Sequence, residues 1–169
     1  MKKIIFYIIP FIVLVSGCAG GAQITSKQIL RQRDFTGTYV ISNVNDLVID
    51  IFGSSEDDDI PLILYSLHGG DNQIFVIERQ EDRTYKITAK HSGLALTVKN
   101  DTVVQAGWKG DDNQKWLIYE SRGGIVKLIS YLDNRILCIS QYFYDEETVM
   151  GVSEDNNLPG QQFRLIKQI

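Results

Sequence analysis

From residue 38 onward, apolar and polar residues alternate over short stretches, and no window carries a sustained 3.6-residue period. Thr38-Tyr39-Val40-Ile41, Thr84-Tyr85-Lys86-Ile87 and Ile125-Val126-Lys127-Leu128 each predict a short strand. A turn follows each one: Asn43-Val44-Asn45, His91-Ser92-Gly93 and Leu132-Asp133-Asn134. A second apolar strand comes next, over Leu47 to Phe52, Leu94 to Val98 and Ile136 to Ile139. A polar loop then leads into a third, Pro61 to Tyr65 or Thr102 to Gln105. Short strands punctuated by turns predict an all-β fold.

The pattern repeats. Asn72-Gln73-Ile74-Phe75, Asn113-Gln114-Lys115-Trp116 and Gly160-Gln161-Gln162-Phe163 close three segments alike, each with Gln-x-aromatic before a short strand. The glutamines at 73, 114 and 161 are 41 and 47 residues apart. Repeats at such a period fix an architecture. Three units of about forty residues, each with four short strands, resemble the β-trefoil with its pseudo-threefold symmetry. The Gln-x-Trp/Phe signature resembles that of ricin-type lectin domains, over roughly residues 37–169. The resemblance implies that Phe75, Trp116 and Phe163 plug a shared core, and that each Gln hydrogen-bonds loop backbone otherwise left unsatisfied.

A pyranose presents paired hydroxyls and one apolar C–H face. A shallow site for it needs a carboxylate, an amide donor and an aromatic cover. In ricin-type domains an Asp ends the second strand, an aromatic ends the third, and an Asn precedes the Gln. The first repeat matches with Asp50, Tyr65 and Asn72-Gln73, so the resemblance implies carbohydrate binding by these four, with His68 as a lining residue or a solvated loop side chain. Asp50 is independently odd inside an apolar strand, since carboxylates are seldom buried unpaired. Its other reading is a cap on the loop Gly53-Ser54-Ser55.

The second repeat has Thr97 for the Asp and Ala106 for the aromatic. Asn113 and Gln114 remain, and Trp108 either supplies a stacking face for a weak second site or packs over the trefoil edge. The third repeat has Cys138 for the Asp, Ser153 or a neighbour for the aromatic and Gly160 for the Asn, with an insertion over Tyr142 to Asn157 that reads as a lengthened loop. It reads as structural. Its run Gln141-Tyr142-Phe143-Tyr144 is either a barrel cap or an exposed contact patch. The acidic run Glu56-Asp57-Asp58-Asp59 lacks the ligand spacing of a calcium loop and reads as solvated. No metal or cofactor is expected.

The chain starts differently. Lys2 and Lys3 precede an apolar run from Ile4 to Val15, too short for a comfortable membrane span, and Val15-Ser16-Gly17-Cys18 follows. These features describe a secretory signal peptide over residues 1–17. Val-Ser-Gly-Cys resembles the lipobox of bacterial lipoproteins, which implies that Cys18 is lipidated and becomes the new N-terminus. Its acyl chains, palmitate among them, would anchor the protein to the membrane of the cell envelope. With Ala19 next, the sorting rule of that family implies the outer membrane if the host is Gram-negative. The other reading is an ordinary secreted protein. Residues 18–36 read as a tether of mixed polar composition, and the folded domain as residues 37–169.

Loss of Lys2 and Lys3 turns 17 basic side chains into 15 against 21 acidic ones, a net charge of −6. That balance argues against a nucleic-acid partner, whose binding rests on basic surface. Cys138 would then be the one remaining thiol, with no disulfide to form, and its apolar strand predicts a buried inert group. The only His residues are 68 and 91, with no Ser-His, Cys-His or zinc spacing, so binding is expected here and an enzyme is not. The expected partners are glycans, either host or envelope polysaccharide. The rival expectation is a trefoil that has lost sugar binding and docks partner protein subunits, a plan that the binding subunits of cytolethal distending toxins also resemble, or one that serves only as scaffold.

Overall fold

Alternation of buried and exposed side chains organises the chain into paired strands, and the pairing closes on itself. The computed structural model describes residue 28 and residues 33–144 and 147–169. The strands are β1 (Gly37–Asn43), β2 (Val48–Ile51), β3 (Ile60–Tyr65), β4 (Phe75–Arg79), β5 (Tyr85–Ala89), β6 (Ala95–Lys99), β7 (Thr102–Ala106), β8 (Lys115–Glu120), β9 (Val126–Ser130), β10 (Ile136–Tyr144), β11 (Glu147–Ser153) and β12 (Phe163–Lys167).

The first and fourth strands of the three repeats form a ring. β1 pairs β4, β4 pairs β5, β5 pairs β8, β8 pairs β9, β9 pairs β12 and β12 returns to β1. Closure leaves no open edge in this barrel. The second and third strands of each repeat form hairpins, β2–β3, β6–β7 and β10–β11. These pair with one another through β3–β7, β3–β11 and β7–β11, so they cap one end of the barrel. The fold is a β-trefoil, as the repeat predicts.

The core follows the same symmetry. Phe75, Trp116 and Phe163 are all fully buried, together with Ile41, Ile87 and Leu128 from the first strands of the repeats. Gln73, Gln114 and Gln161 do the same job three times. Each side-chain oxygen accepts a backbone N–H: from His68 and Gly69, from Lys109, and from Asn156. Each amide nitrogen donates back to a carbonyl of the same loop, on Ser66, Gly107 or Glu154. Four residues before each Gln the chain turns through positive φ, at Gly69, Gly110 and Asn157. Asn is the residue type that stands in for glycine there with little strain.

Two sequence expectations need correction. The tether does not run to residue 36, because Phe35 is fully buried in the core. Its ring meets Tyr85 edge-on at 6.0 Å, and Arg33 reaches Glu120 at 3.0 Å while covering the other side of the Phe35 ring. The packed domain therefore begins by Arg33. The insertion in the third repeat is not simply a longer loop either. β10 and β11 form a long hairpin, paired from Ile136↔Ser153 to Tyr144↔Glu147 with a register shift between Ile139 and Phe143. The segment 141–144 is backbone of β10, and its side chains lie outside the described residues. The leader, Cys18 and residues 19–27 likewise lie outside them.

Cys138 is buried, as expected, and burial pushes its thiol up despite a hydrogen bond with Ser153. The acidic run is held by the protein's own donors: Asp58 accepts from the Gly107 N–H at 2.8 Å and Asp59 meets Lys99 at 2.7 Å.

Candidate functional site

Asp50 sits on β2, opposite Ile63 of β3, between fully buried Ile49 and Ile51. It is only 3% exposed, and its carboxylate is the hub of a polar cluster. Asn72 donates from Nδ2 to Oδ1 at 2.7 Å, and Gln73 donates from Nε2 to Oδ2 at 2.8 Å. His68 Nε2 lies 3.1 Å from Oδ2. The Gly70 N–H donates to His68 Nδ1 at 3.2 Å, so Nδ1 is the acceptor and Nε2 carries the proton that faces Asp50. The partners of Asp50 are thus on the far side of the repeat, and the alternative reading as a cap for Gly53-Ser54-Ser55 gives way.

Burial pushes the Asp50 carboxyl above the usual aspartate range, and the donors Gln73, His68 and Asn72 pull it back only in part. A carboxylate that is costly to keep ionised, at the bottom of a cleft, is the kind of group found at binding sites.

The cleft is real. A cavity of about 240 Å³ is lined by Asp50, Ile63, Tyr65, His68, Asn72 and Glu147, with Phe52, Gly53 and Ser54 on its rim. Tyr65 ends β3 and is 43% exposed; its ring lies 6.1 Å from that of His68, at 71°. The His68 side chain is 45% exposed. Carboxylate, amide, imidazole and phenol are therefore brought together around one opening. The floor accepts hydrogen bonds, and the exposed ring offers an apolar face.

Gln73 makes the loop bonds that the motif implies, and it is fully buried, so it bears on the cavity by aiming Asp50. Asn72 is also buried, and its amide nitrogen donates to both Asp50 and the Ile51 carbonyl. Glu147 escapes the sequence reading altogether. It comes from the third repeat and reaches the first because β11 pairs with β3 through Thr148↔Leu64 and Val149↔Ile63. The apolar run Val149-Met150-Gly151-Val152 after the charged stretch is the signal that could have revealed the strand.

The second repeat does not assemble the same cluster. Gln114 is buried and donates to Thr97 Oγ1 at 3.1 Å, Asn113 donates to the Val98 carbonyl, and Lys86 lies over the Trp108 ring at 5.6 Å. These residues brace a loop and pack its edge, and Thr97 stands where the first repeat has Asp50. The third repeat has a wider hollow of about 590 Å³ at the matching place, lined by Cys138, Ser153, Gly160 and Gln161 with exposed Leu158 at its mouth. Here Gln161 donates to Ser153 Oγ at 3.0 Å, in place of the bond to Asp50 in the first repeat.

Comparison with known proteins agrees with the geometry. Residues 28–105 match the model of the ricin-type β-trefoil lectin domain-like family. A stretch of 92 residues is 36% identical to Flavastacin from Elizabethkingia meningoseptica, covering 49% of this chain and 21% of that protein, so the chain spans about a fifth of its relative's length. The designed threefold-symmetric protein ThreeFoil is 29% identical, with a TM-score of 0.72 over 78% of this chain and 99% of that one. The ricin B-like lectin of Macrolepiota procera, solved in complex with lactose, shares the fold at 21% identity and a TM-score of 0.65, covering 81% of this chain and 99% of that one. The chain is a β-trefoil, and its residues 28–105 are similar to the ricin-type β-trefoil lectin domain-like family.

Proposed function

We propose that this protein binds carbohydrate through the cavity of its first repeat and does so as a lipid-anchored protein of the bacterial cell envelope. The observation that carries the reading is the cluster at Asp50: a nearly buried carboxylate, aimed by Asn72 and Gln73, at the floor of an opening edged by Tyr65 and His68. Asp50 would accept from adjacent sugar hydroxyls, and Tyr65 would cover the apolar face of the ring. The match to a lectin-like family model over residues 28–105 supports the same reading.

One such site binds weakly, at about millimolar Kd or roughly −4 kcal/mol. Lipidation at Cys18 would concentrate many copies on one surface, where avidity compensates. Host glycans and envelope polysaccharide both suit this arrangement.

The second reading is a trefoil that docks a partner protein, and its support is the loss of the carboxylate in two repeats, at Thr97 and Cys138. A glycan array run with the full chain, beside Tyr65→Ala and Asp50→Ala variants, separates the two. Glycan capture that disappears in both variants supports the lectin reading. Capture that survives both, or no capture at all with a protein partner recovered, sinks it. Globomycin treatment of the producing cells, followed by the size and membrane fraction of the product, tests the anchor.

A further inference from the structure

We infer that Glu147 sets the ligand class of the first-repeat cavity, and that the sugar it favours carries a free amino group. This rests on the carbohydrate reading above and sharpens it. Glu147 is half-buried and lines the same cavity as Asp50. It arrives there on β11, which the third-repeat hairpin lays alongside β3, one pair beyond Thr148↔Leu64 and next to the strand end that bears Tyr65. Among the described residues, the cavity lining thus contains two carboxylates and neither a Lys nor an Arg.

The two acids differ in their surroundings. Asp50 has three donors, on Asn72, Gln73 and His68. Those donors are two amides and an imidazole whose Nδ1 accepts from the Gly70 N–H, so they satisfy its lone pairs without neutralising its charge. Glu147 forms no ion pair with any described Lys, Arg or His. A neutral sugar that covered both acids would strip water from them and return no countercharge, which is costly. An ammonium on the ligand supplies the missing charge and up to three donors. A bare divalent cation is a poorer match, since calcium takes six to eight oxygens and two side chains fall well short. The hexosamines with an unsubstituted amine combine the required ammonium with the hydroxyl pair for Asp50 and the apolar face for Tyr65.

The test titrates the full chain with the methyl glycosides of glucosamine and galactosamine and with their N-acetyl counterparts, at neutral pH. The expected result is that an amine form binds at least about fivefold tighter than its N-acetyl form, and that Glu147→Gln brings the ratio close to one. Raising the salt should shrink the ratio as well, because the added term is electrostatic. Equal affinity for amine and N-acetyl forms, or a preference that Glu147→Gln does not change, overturns the inference and leaves the carbohydrate reading intact. So does failure of both amines to bind while a neutral glycan is captured on the array. If no glycan of any kind binds, the reading of the site falls and the inference falls with it.

Discussion

Gln73 Nε2 stands 2.8 Å from Asp50 Oδ2, and the same amide nitrogen is 2.9 Å from the Ser66 carbonyl. One side chain therefore ties the floor of the cavity to the loop that carries His68. Gln161 makes the corresponding loop bonds in the third repeat but donates to a serine hydroxyl instead of a carboxylate. Both glutamines are buried, so truncation leaves donors and acceptors without partners. Gln73→Ala and Gln161→Ala should each cost about 2–4 kcal/mol in urea unfolding. Only Gln73→Ala should also weaken glycan binding. Equal loss of affinity in both variants would mean that Gln73 acts through global stability alone.

Phe35 tests where the domain begins. Its ring is fully enclosed against Tyr85, and its N–H donates to the Tyr85 hydroxyl at 3.4 Å. Phe35→Ala should cost about 3–5 kcal/mol, the usual range for emptying a buried aromatic site. A chain that starts at Gly37 should be destabilised at least as much as one that starts at Arg33 and carries that substitution. Identical melting of the 33-start and 37-start chains would show that the segment contributes nothing.

What the sequence revealed and what it hid divide along one physical line. The alternating strands and the three Gln-x-aromatic motifs are local patterns, so the trefoil and its core could be read directly. Asp50 and Asn72 are 22 residues apart and still recognisable, because both lie at fixed places within one repeat. Phe35 was missed because a lone aromatic among polar residues has no period to betray its burial. Glu147 was missed because it belongs to the third repeat and serves the first, a relation set by strand pairing between hairpins. The burial of Gln73 is also a tertiary fact. The motif flags the residue but not the direction in which its amide points.

Tyr65 offers the cleanest separation of binding from folding. It ends β3 and nearly half of it is in solvent, so its removal opens no core cavity. Tyr65→Ala should leave stability within about 0.5 kcal/mol and abolish detectable glycan capture, while Tyr65→Phe retains the stacking face and most of the affinity. A melting curve and a binding titration on each variant decide the matter. A Tyr65→Ala protein that binds as well as the parent would remove the aromatic from the site.

Gly151 holds the hairpin that delivers Glu147. It pairs with Thr102, and a side chain there would run into the backbone carbonyl of Asp101, which accepts from the Val152 N–H at 3.0 Å. Backbone cannot yield as a flexible side chain can, so Gly151→Ala should cost about 1–3 kcal/mol by overpacking. The shift of β11 should also disturb the first-repeat cavity, which is visible as a change in amine preference before unfolding. Unchanged stability would mean that β7 and β11 can separate without cost.

The pH dependence of Asp50 has opposite signs for binding and for stability. Burial first, against the pull of Gln73, His68 and Asn72, holds its carboxyl above the usual range. Ligand hydroxyls or an ammonium need the ionised form. Affinity should therefore fall on acidification at a higher pH than the value of about 4 at which an unperturbed aspartate protonates. Folding responds the other way, because a raised pKa means that the native state binds this proton more readily than the unfolded chain. The resulting stability is fully present below the unfolded pKa and is lost as pH rises through the folded one. Asp82 works against it. Burial raises its carboxyl, but hydrogen bonds from Thr84 and the Lys115 pair outweigh that and leave it lowered, so its contribution is lost as pH falls. The Asp50 effect must accordingly be read as a difference between the parent and Asp50→Asn. The variant should fall further behind the parent as pH drops from about 7 towards 4, over the same range in which the parent loses its ligand. A gap that narrows on acidification would show that Asp50 is stabilised in its charged form, and the account of a costly carboxylate at the cavity floor would have to be abandoned.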